Sequence, residues 1–117
     1  MRVAPIKAAI EFADFEKLDI RVGTILSVVP VAKSAKLMKL TVDFGDHERS
    51  ILAGIRKERA DPEEIVGVQA LFVVNMPPRI MAGETSEGML FDIGYADGIA
   101  PCLATPERAL PNGARAG

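Results

Sequence analysis

Apolar and polar residues alternate most clearly over Leu18–Val28, where Leu18, Ile20, Val22, Leu26 and Val28 interleave with Asp19, Arg21, Gly23 and Ser27. A period of two is that of a half-buried strand, and Gly23 in its middle predicts a bulge or bend of the kind a small closed sheet needs. Pro30 ends this strand and Val31–Lys36 reads as a loop. Leu37–Phe44 resumes the alternation, with Met38, Leu40, Val42 and Phe44 on one side and Lys39, Thr41 and Asp43 on the other. Gly45–Glu48 is a turn, and Arg49–Ala53 pairs back as a hairpin. Asp61-Pro62-Glu63-Glu64 predicts a short helix, with Asp as cap, Pro in the first turn and acids at the positive end of the helix dipole; Gly67 stops it. Val68–Val74 and Met89–Ile93 are the last two strands. Before the first strand, Asp14–Lys17 predicts one helical turn capped by Asp14 with Phe15 packed inward, and Ile10–Phe12 a short pairing. After the last, Thr105-Pro106-Glu107 repeats the cap-plus-proline signature and Pro111 ends the turn.

Five strands with a short helix between the third and fourth give an all-β chain in the order an OB-fold requires, a partly open five-stranded barrel that binds oligonucleotides or oligosaccharides on one face and its loops. The connection Asn75–Gly88, with Pro77, Pro78, Gly83 and a mixture of Asn, Arg, Thr, Ser, Glu and Met, is too elaborate for a minimal hairpin and reads as a presented surface.

A length of 117 residues implies one domain. It divides into an N-terminal arm (1–12), the barrel (13–95) and a C-terminal extension (96–117). A lone cysteine, Cys102, excludes an internal disulfide or a cysteine-based zinc site, and reads as a small packed apolar residue. With no basic-then-apolar leader and no membrane-length apolar run, the chain reads as cytoplasmic, with no membrane partner. The net charge of −2 argues against an indiscriminate nucleic-acid binder. The charge is uneven, however. Lys33, Lys36, Lys39, Arg49, Arg56, Lys57 and Arg59 outnumber the acids of residues 31–59, whereas acids dominate beyond residue 60. One basic region on an acidic body focuses a potential toward a polyanion.

Several blocks in one order carry a family resemblance: Asp19-Ile20-Arg21-Val22-Gly23-Thr24-Ile25, Lys36-Leu37, Val42-Asp43-Phe44-Gly45, Arg49-Ser50-Ile51-Leu52-Ala53-Gly54-Ile55, Pro62–Gly67, the Asn75–Gly83 loop and Ser86-Glu87-Gly88-Met89-Leu90. From Phe15 to Arg115 the chain resembles the OB-fold tRNA-binding domain found free-standing in bacteria, at the C-terminus of some methionyl-tRNA synthetases, and in CsaA-type chaperones. The tail Thr105–Arg115 resembles the end of the free-standing, dimeric members. Two departures stand out. The family's frequent His-Pro-x-Ala-Asp-Lys-Leu-Tyr segment is here Val31-Ala32-Lys33-Ser34-Ala35-Lys36-Leu37-Met38, and Ile80 stands where a Lys often follows Arg79.

The resemblance implies a non-catalytic tRNA-binding protein without metal or other cofactor. Its partners would be tRNA, a second copy in a two-fold homodimer built through the arm and the tail, and an aminoacyl-tRNA synthetase. Unfolded polypeptides are the alternative ligand, as in CsaA-type chaperones. RNA recognition needs cations for phosphates, polar groups for base edges and surfaces for stacking. Lys33, Lys36, Lys39, Arg49 and Arg79 are the candidate phosphate contacts, and Asn75, Ser86 and Glu87 the candidate base-edge contacts. Met89, with Met76 or Met81, is the candidate apolar contact to a base, although core roles are expected for at least two of the three. The aromatic residues are expected mostly in the core. Ser86 lacks the spacing of a nucleophile elbow, His47 sits in a predicted turn, and no carboxylates pair informatively, so catalysis is not expected.

Overall fold

The computed structural model describes residues 3–117; the first two residues of the expected arm lie outside the described residues. One antiparallel sheet dominates. It is built from β1 (Ile20–Pro30), β2 (Met38–Asp43), β3 (Glu48–Ala53), β4 (Gln69–Val73) and β7 (Met89–Leu90), in the order β3-β2-β1-β4-β7. A 3-10 turn over Pro62–Ile65 separates β3 from β4, and Asp61 caps it by accepting the Glu63 N–H at 3.1 Å. These are the expected five strands of an OB-fold, with the expected short helical turn in place.

The first strand is long because it pairs with β2 through its C-terminal half and with β4 through its N-terminal half. The register shift lies between Ile25 and Ser27, not at Gly23. One residue of slip reverses which side chains face inward. Leu26, expected inside, is the residue left without a β2 partner and is exposed, while Ile25 on one side of the shift and Val28 on the other are both buried. Gly23 serves close packing instead, since a Cβ there would lie 2.5 Å from Val42 Cγ1 and 2.8 Å from the Phe44 ring. Glycine lets β1 approach the core side of β2, and Phe44 then meets Phe72 edge-on with centroids 5.5 Å apart. Around this pair pack Ile25, Leu40, Val42, Ile51, Ile65 and Leu90.

The presented stretch contains its own hairpin, β5 (Arg79–Met81) and β6 (Glu84–Ser86), turning through Ala82 and Gly83, both at positive φ. The expected strand Met89–Ile93 is split: β7 pairs with β4, and β8 (Asp92–Ile93) pairs with β9 (Cys102–Leu103). The C-terminal residues Arg115–Ala116 form β10, which pairs with Ile20 and Arg21 of β1. The tail thus completes its own barrel.

At the other end, a single helical turn, α1 (Phe12–Phe15), takes the place of the expected pairing at Ile10–Phe12. Asp14 is not its cap: its carboxylate reaches back to the Glu11 N–H at 3.3 Å. Phe15 is exposed rather than inward, as are Phe12, Phe91 and Tyr95; of the aromatic residues only Phe44 and Phe72 are core. Cys102 is exposed too, because Leu103 takes the inward side of β9.

Candidate nucleic-acid interface

The barrel closes where β3 meets the segment after β6, and it does so through side chains. The Ser86 hydroxyl accepts the Leu52 N–H at 3.0 Å and donates to the Gly88 carbonyl at 2.9 Å. The Glu87 carboxylate accepts the Ser50 N–H at 2.9 Å, while the Glu87 N–H donates to the Ser50 carbonyl at 2.8 Å. Ser86 is only 2% exposed. Both residues, expected at base edges, form the seam of the barrel, where a strand edge would otherwise lack partners.

Two further expected contacts are fasteners. Asn75 accepts the Asp19 N–H at 2.8 Å and donates to the Lys17 carbonyl at 2.6 Å, so both ends of its amide tie the loop to the entrance of β1. Arg49 donates through Nη1 to the carbonyls of Val74 (2.6 Å) and Glu87 (3.0 Å), the two ends of the presented stretch. Its Nε donates to His47 Nε2 at 3.0 Å, and its guanidinium carbon lies 6.0 Å from the Phe44 ring centre. A planar fork with several donors suits this bridging role where an ammonium does not. Lys39 does face outward, but it forms an ion pair with Glu84 at 3.1 Å, which offsets its charge.

The remaining expected residues come together. Arg79 and Met89 line a groove of about 230 Å³ with Leu37, Met76, Pro77 and Met81. Met76 and Met89 are close to half exposed, so the core role expected for two of these three methionines is not what the groove shows. Next to it, Lys33 shares a shallow rim with Arg56 and Lys57, and Lys36 lies on the same turn. The rim is pre-shaped: Arg56 donates through its N–H to the Lys36 carbonyl (3.1 Å) and through Nη1 to the Ser34 carbonyl (2.7 Å), and Ser34 Oγ accepts the N–H groups of Lys36 and Leu37. Arg56 and Lys57 are visible in the charge bias of residues 31–59 but not as site residues, because the turn that folds them onto Lys33 is a tertiary contact. Lys33, Lys36, Lys57 and Arg79 form no salt bridge among the described residues. On the far side of Met89, a second cavity of similar size carries Glu58, Asp92 and Tyr95. Burial, and then the nearby Asp92 charge, push the Glu58 carboxyl above its ordinary value.

At the base of the barrel, Asp19 accepts two hydrogen bonds from Arg21 (2.8 and 3.1 Å) and one from Arg115 of β10 (3.3 Å). The Arg21 bond above all, opposed by desolvation and aided by Arg115, holds the Asp19 carboxyl below the usual carboxylate range. A depressed carboxylate stabilises the fold above its unfolded pKa of about 3.9, and that contribution is lost as pH falls through the folded value. Asp19→Asn is therefore expected to flatten the acid side of the melting-temperature profile, read between neutral pH and about pH 3. An unchanged acid limb would show that the Asp19 pairs contribute nothing.

Among the described residues no group of His, Cys, Asp and Glu is arranged to hold a metal ion, and no helix is long and apolar enough to cross a membrane.

Comparison with known proteins places this arrangement. The sequence profile of a family described as "Putative tRNA binding domain" matches residues 20–115. The chain is 43% identical over 112 residues to the methionine–tRNA ligase of Parabacteroides distasonis, covering 96% of this chain and 16% of that one. It is 48% identical over 97 residues to the corresponding ligase of Porphyromonas gingivalis, covering 83% of this chain and 14% of that one. The chain thus spans about a sixth of the curated relatives it matches. Among solved structures, a MetRS-related protein from Pyrococcus horikoshii superposes with a TM-score of 0.86 at 34% identity, covering 95% of this chain and all of that one. The chaperone CsaA of Bacillus anthracis superposes with a TM-score of 0.78 at 33% identity, covering 94% of this chain and all of that one.

Proposed function

The chain belongs to the tRNA-binding domain family, and on that footing we propose that it is a non-catalytic, structure-specific tRNA binder that acts as a two-fold homodimer. The observation that carries the reading is the set of cations Lys33, Lys36, Lys57 and Arg79, which form no salt bridge among the described residues, beside an apolar groove on a protein whose net charge is −2. Cations gathered on one face of an acidic body serve a polyanion better than they serve the fold. Few stacking aromatics border this face, so RNA shape and backbone carry recognition more than sequence does.

The dimer reading rests on apolar exposure. Ile6 is fully exposed, and Ile10, Phe12, Tyr95 and Ile99 are exposed with it, on the arm and on the segment after β8. The arm and that segment touch, since the Ala4 N–H donates to the Asp97 carboxylate at 2.7 Å. A second copy related by a two-fold axis would cover both at once and present two cationic faces to one L-shaped RNA. In cells the ligand would be tRNA in the cytoplasm, with a synthetase as a further partner.

The test is a titration against bulk tRNA, with a plain duplex and a single-stranded RNA as competitors, across a salt series. Saturable binding that prefers tRNA and falls linearly on a log–log salt plot is expected. Lys36→Ala and Arg79→Ala should each weaken tRNA binding and lower the salt slope by about 0.7–0.9 without moving the melting temperature. Unchanged binding in both variants would remove this face from consideration.

A second reading has a specific observation behind it. Ile80, in the middle of β5, is 76% exposed, and Met76 is close to half exposed; such exposed apolar residues on the presented stretch suit a binder of unfolded polypeptides like the CsaA proteins the fold matches. Suppression of client aggregation, together with weak binding that treats all three RNAs alike, would favour it.

A further inference from the structure

The groove and the lysine rim are continuous along the chain. Leu37 of the groove wall directly follows Lys36, whose carbonyl accepts the Arg56 N–H, and Gly54 of the groove lies two residues before Arg56 of the rim. At about 230 Å³ the groove is smaller than the roughly 300–1,000 Å³ of sites that enclose whole small-molecule ligands. That is room for a single base-sized group. Its methionines supply adaptable, polarisable walls that fit a ring without dictating its identity, and no carboxylate lines it.

Charge then sets a direction. Lys33, Arg56 and Lys57 line the rim and Arg79 the wall of the groove itself, whereas Glu58 and Asp92 line the second cavity, which shares Leu52, Gly54 and Met89 with the groove. A phosphate is welcome at the rim and repelled at the second cavity. A strand passing this face is therefore held by its backbone along the rim, while something uncharged turns into the groove.

We propose that the groove receives one unstacked base of a single-stranded RNA segment, with the flanking phosphates on the Lys33–Lys36–Arg56–Lys57 rim and on Arg79. The proposal rests on the tRNA-binding reading and narrows it: the part of the RNA that is engaged is a loop or bulge, since a base inside a duplex is held in its stack and cannot turn inward. The rim needs no rearrangement to receive the backbone, because Arg56 is already fixed to the Ser34 and Lys36 carbonyls by bonds that occupy only its main-chain N–H and Nη1. An extended peptide is the less suitable occupant, because nothing in an unspecified polypeptide matches five cations gathered beside one small apolar slot.

The experiment uses the full chain and an oligoribonucleotide of about ten residues carrying a single 2-aminopurine among uridines, a matched oligomer with an abasic residue at that position, and the duplex of the first with its complement. A saturable change in 2-aminopurine fluorescence with the single strand, reversed by unlabelled tRNA, is expected. The duplex should give none, and the abasic oligomer should bind about tenfold or more weakly. Met76→Glu, at a partly exposed position where folding is not at stake, should abolish the fluorescence change and weaken tRNA binding, while Met76→Leu restores both. If tRNA binds saturably but the fluorescence is silent and the abasic oligomer competes equally, base entry is wrong and the tRNA-binding reading stands. Absence of any tRNA preference would overturn both. Displacement of the oligomer by an extended client peptide in preference to tRNA would assign the groove to polypeptide and overturn the proposal.

Discussion

Deleting residues 99–117 is expected to abolish folding instead of releasing stable monomers. The tail supplies β10 at the edge of β1 and β9 beside β8, so its removal opens the sheet itself. Val22 of β1 would lose the partners of its N–H (the Ala114 carbonyl, 2.9 Å) and of its carbonyl (the Gly113 N–H, 2.7 Å), and Leu71 of β4 the acceptor of its N–H (the Ala104 carbonyl, 2.9 Å). Thr24 and Gln69 both bond Asn112, and Gln69 also exchanges two hydrogen bonds with Leu110. Buried polar groups left without partners cost about 1–3 kcal/mol each, and a handful of them approaches the roughly 5–15 kcal/mol that holds an ordinary domain together. Circular dichroism and proton chemical-shift dispersion of the truncated chain decide the matter. A cooperative melt from a folded monomer would confine the tail's role to pairing two copies.

Arg49→Ala is expected to lower the melting temperature by about 5–15 °C and to weaken tRNA binding in the same variant. Its guanidinium holds both ends of the presented stretch at once, through the Val74 and Glu87 carbonyls. Both bonds come from one nitrogen, Nη1, and together are counted as one charged-donor hydrogen bond of about 1.5–3 kcal/mol; in a domain of this size each kcal/mol moves the midpoint by about 3–6 °C. Arg49→Lys should recover only part of the loss, because an ammonium cannot reach two carbonyls and His47 with one fixed fork. The pairing of effects is the diagnostic feature: Lys36→Ala and Arg79→Ala should lower affinity with no loss of stability, whereas Arg49→Ala should lower both. Reduced affinity at an unchanged melting temperature would return Arg49 to the role of phosphate contact that its charge first suggests.

The elements of the barrel are legible in the chain because their signals are local. Alternation places β2 and β3 within a residue or two, Asp61-Pro62 marks the 3-10 turn, and Gly67, at φ +87, ends it. Leu26 escapes the same alternation, since a bulge changes the phase of a strand without changing its composition. The last strand escapes it too, because β4 and β9 compete for successive residues of one apolar run and divide it at Phe91.

For the site, the residue types available, and the gathering of cations between residues 31 and 59 on an acidic chain, are legible from the residues alone. The ordered blocks carry the family resemblance as well. Which of those side chains already hold the fold depends on contacts that only the folded chain makes. Asn75, Arg49, Ser86 and Glu87 have the same chemistry whether they face solvent or hold the fold, and their partners lie on other elements, far along the chain. Hydrogen-bond capacity is a property of a residue; whether it is already used depends on what the folded chain brings within about 3 Å. The turn that carries Arg56 and Lys57 onto Lys33 is the converse case: two cations become part of a site because the fold places them there.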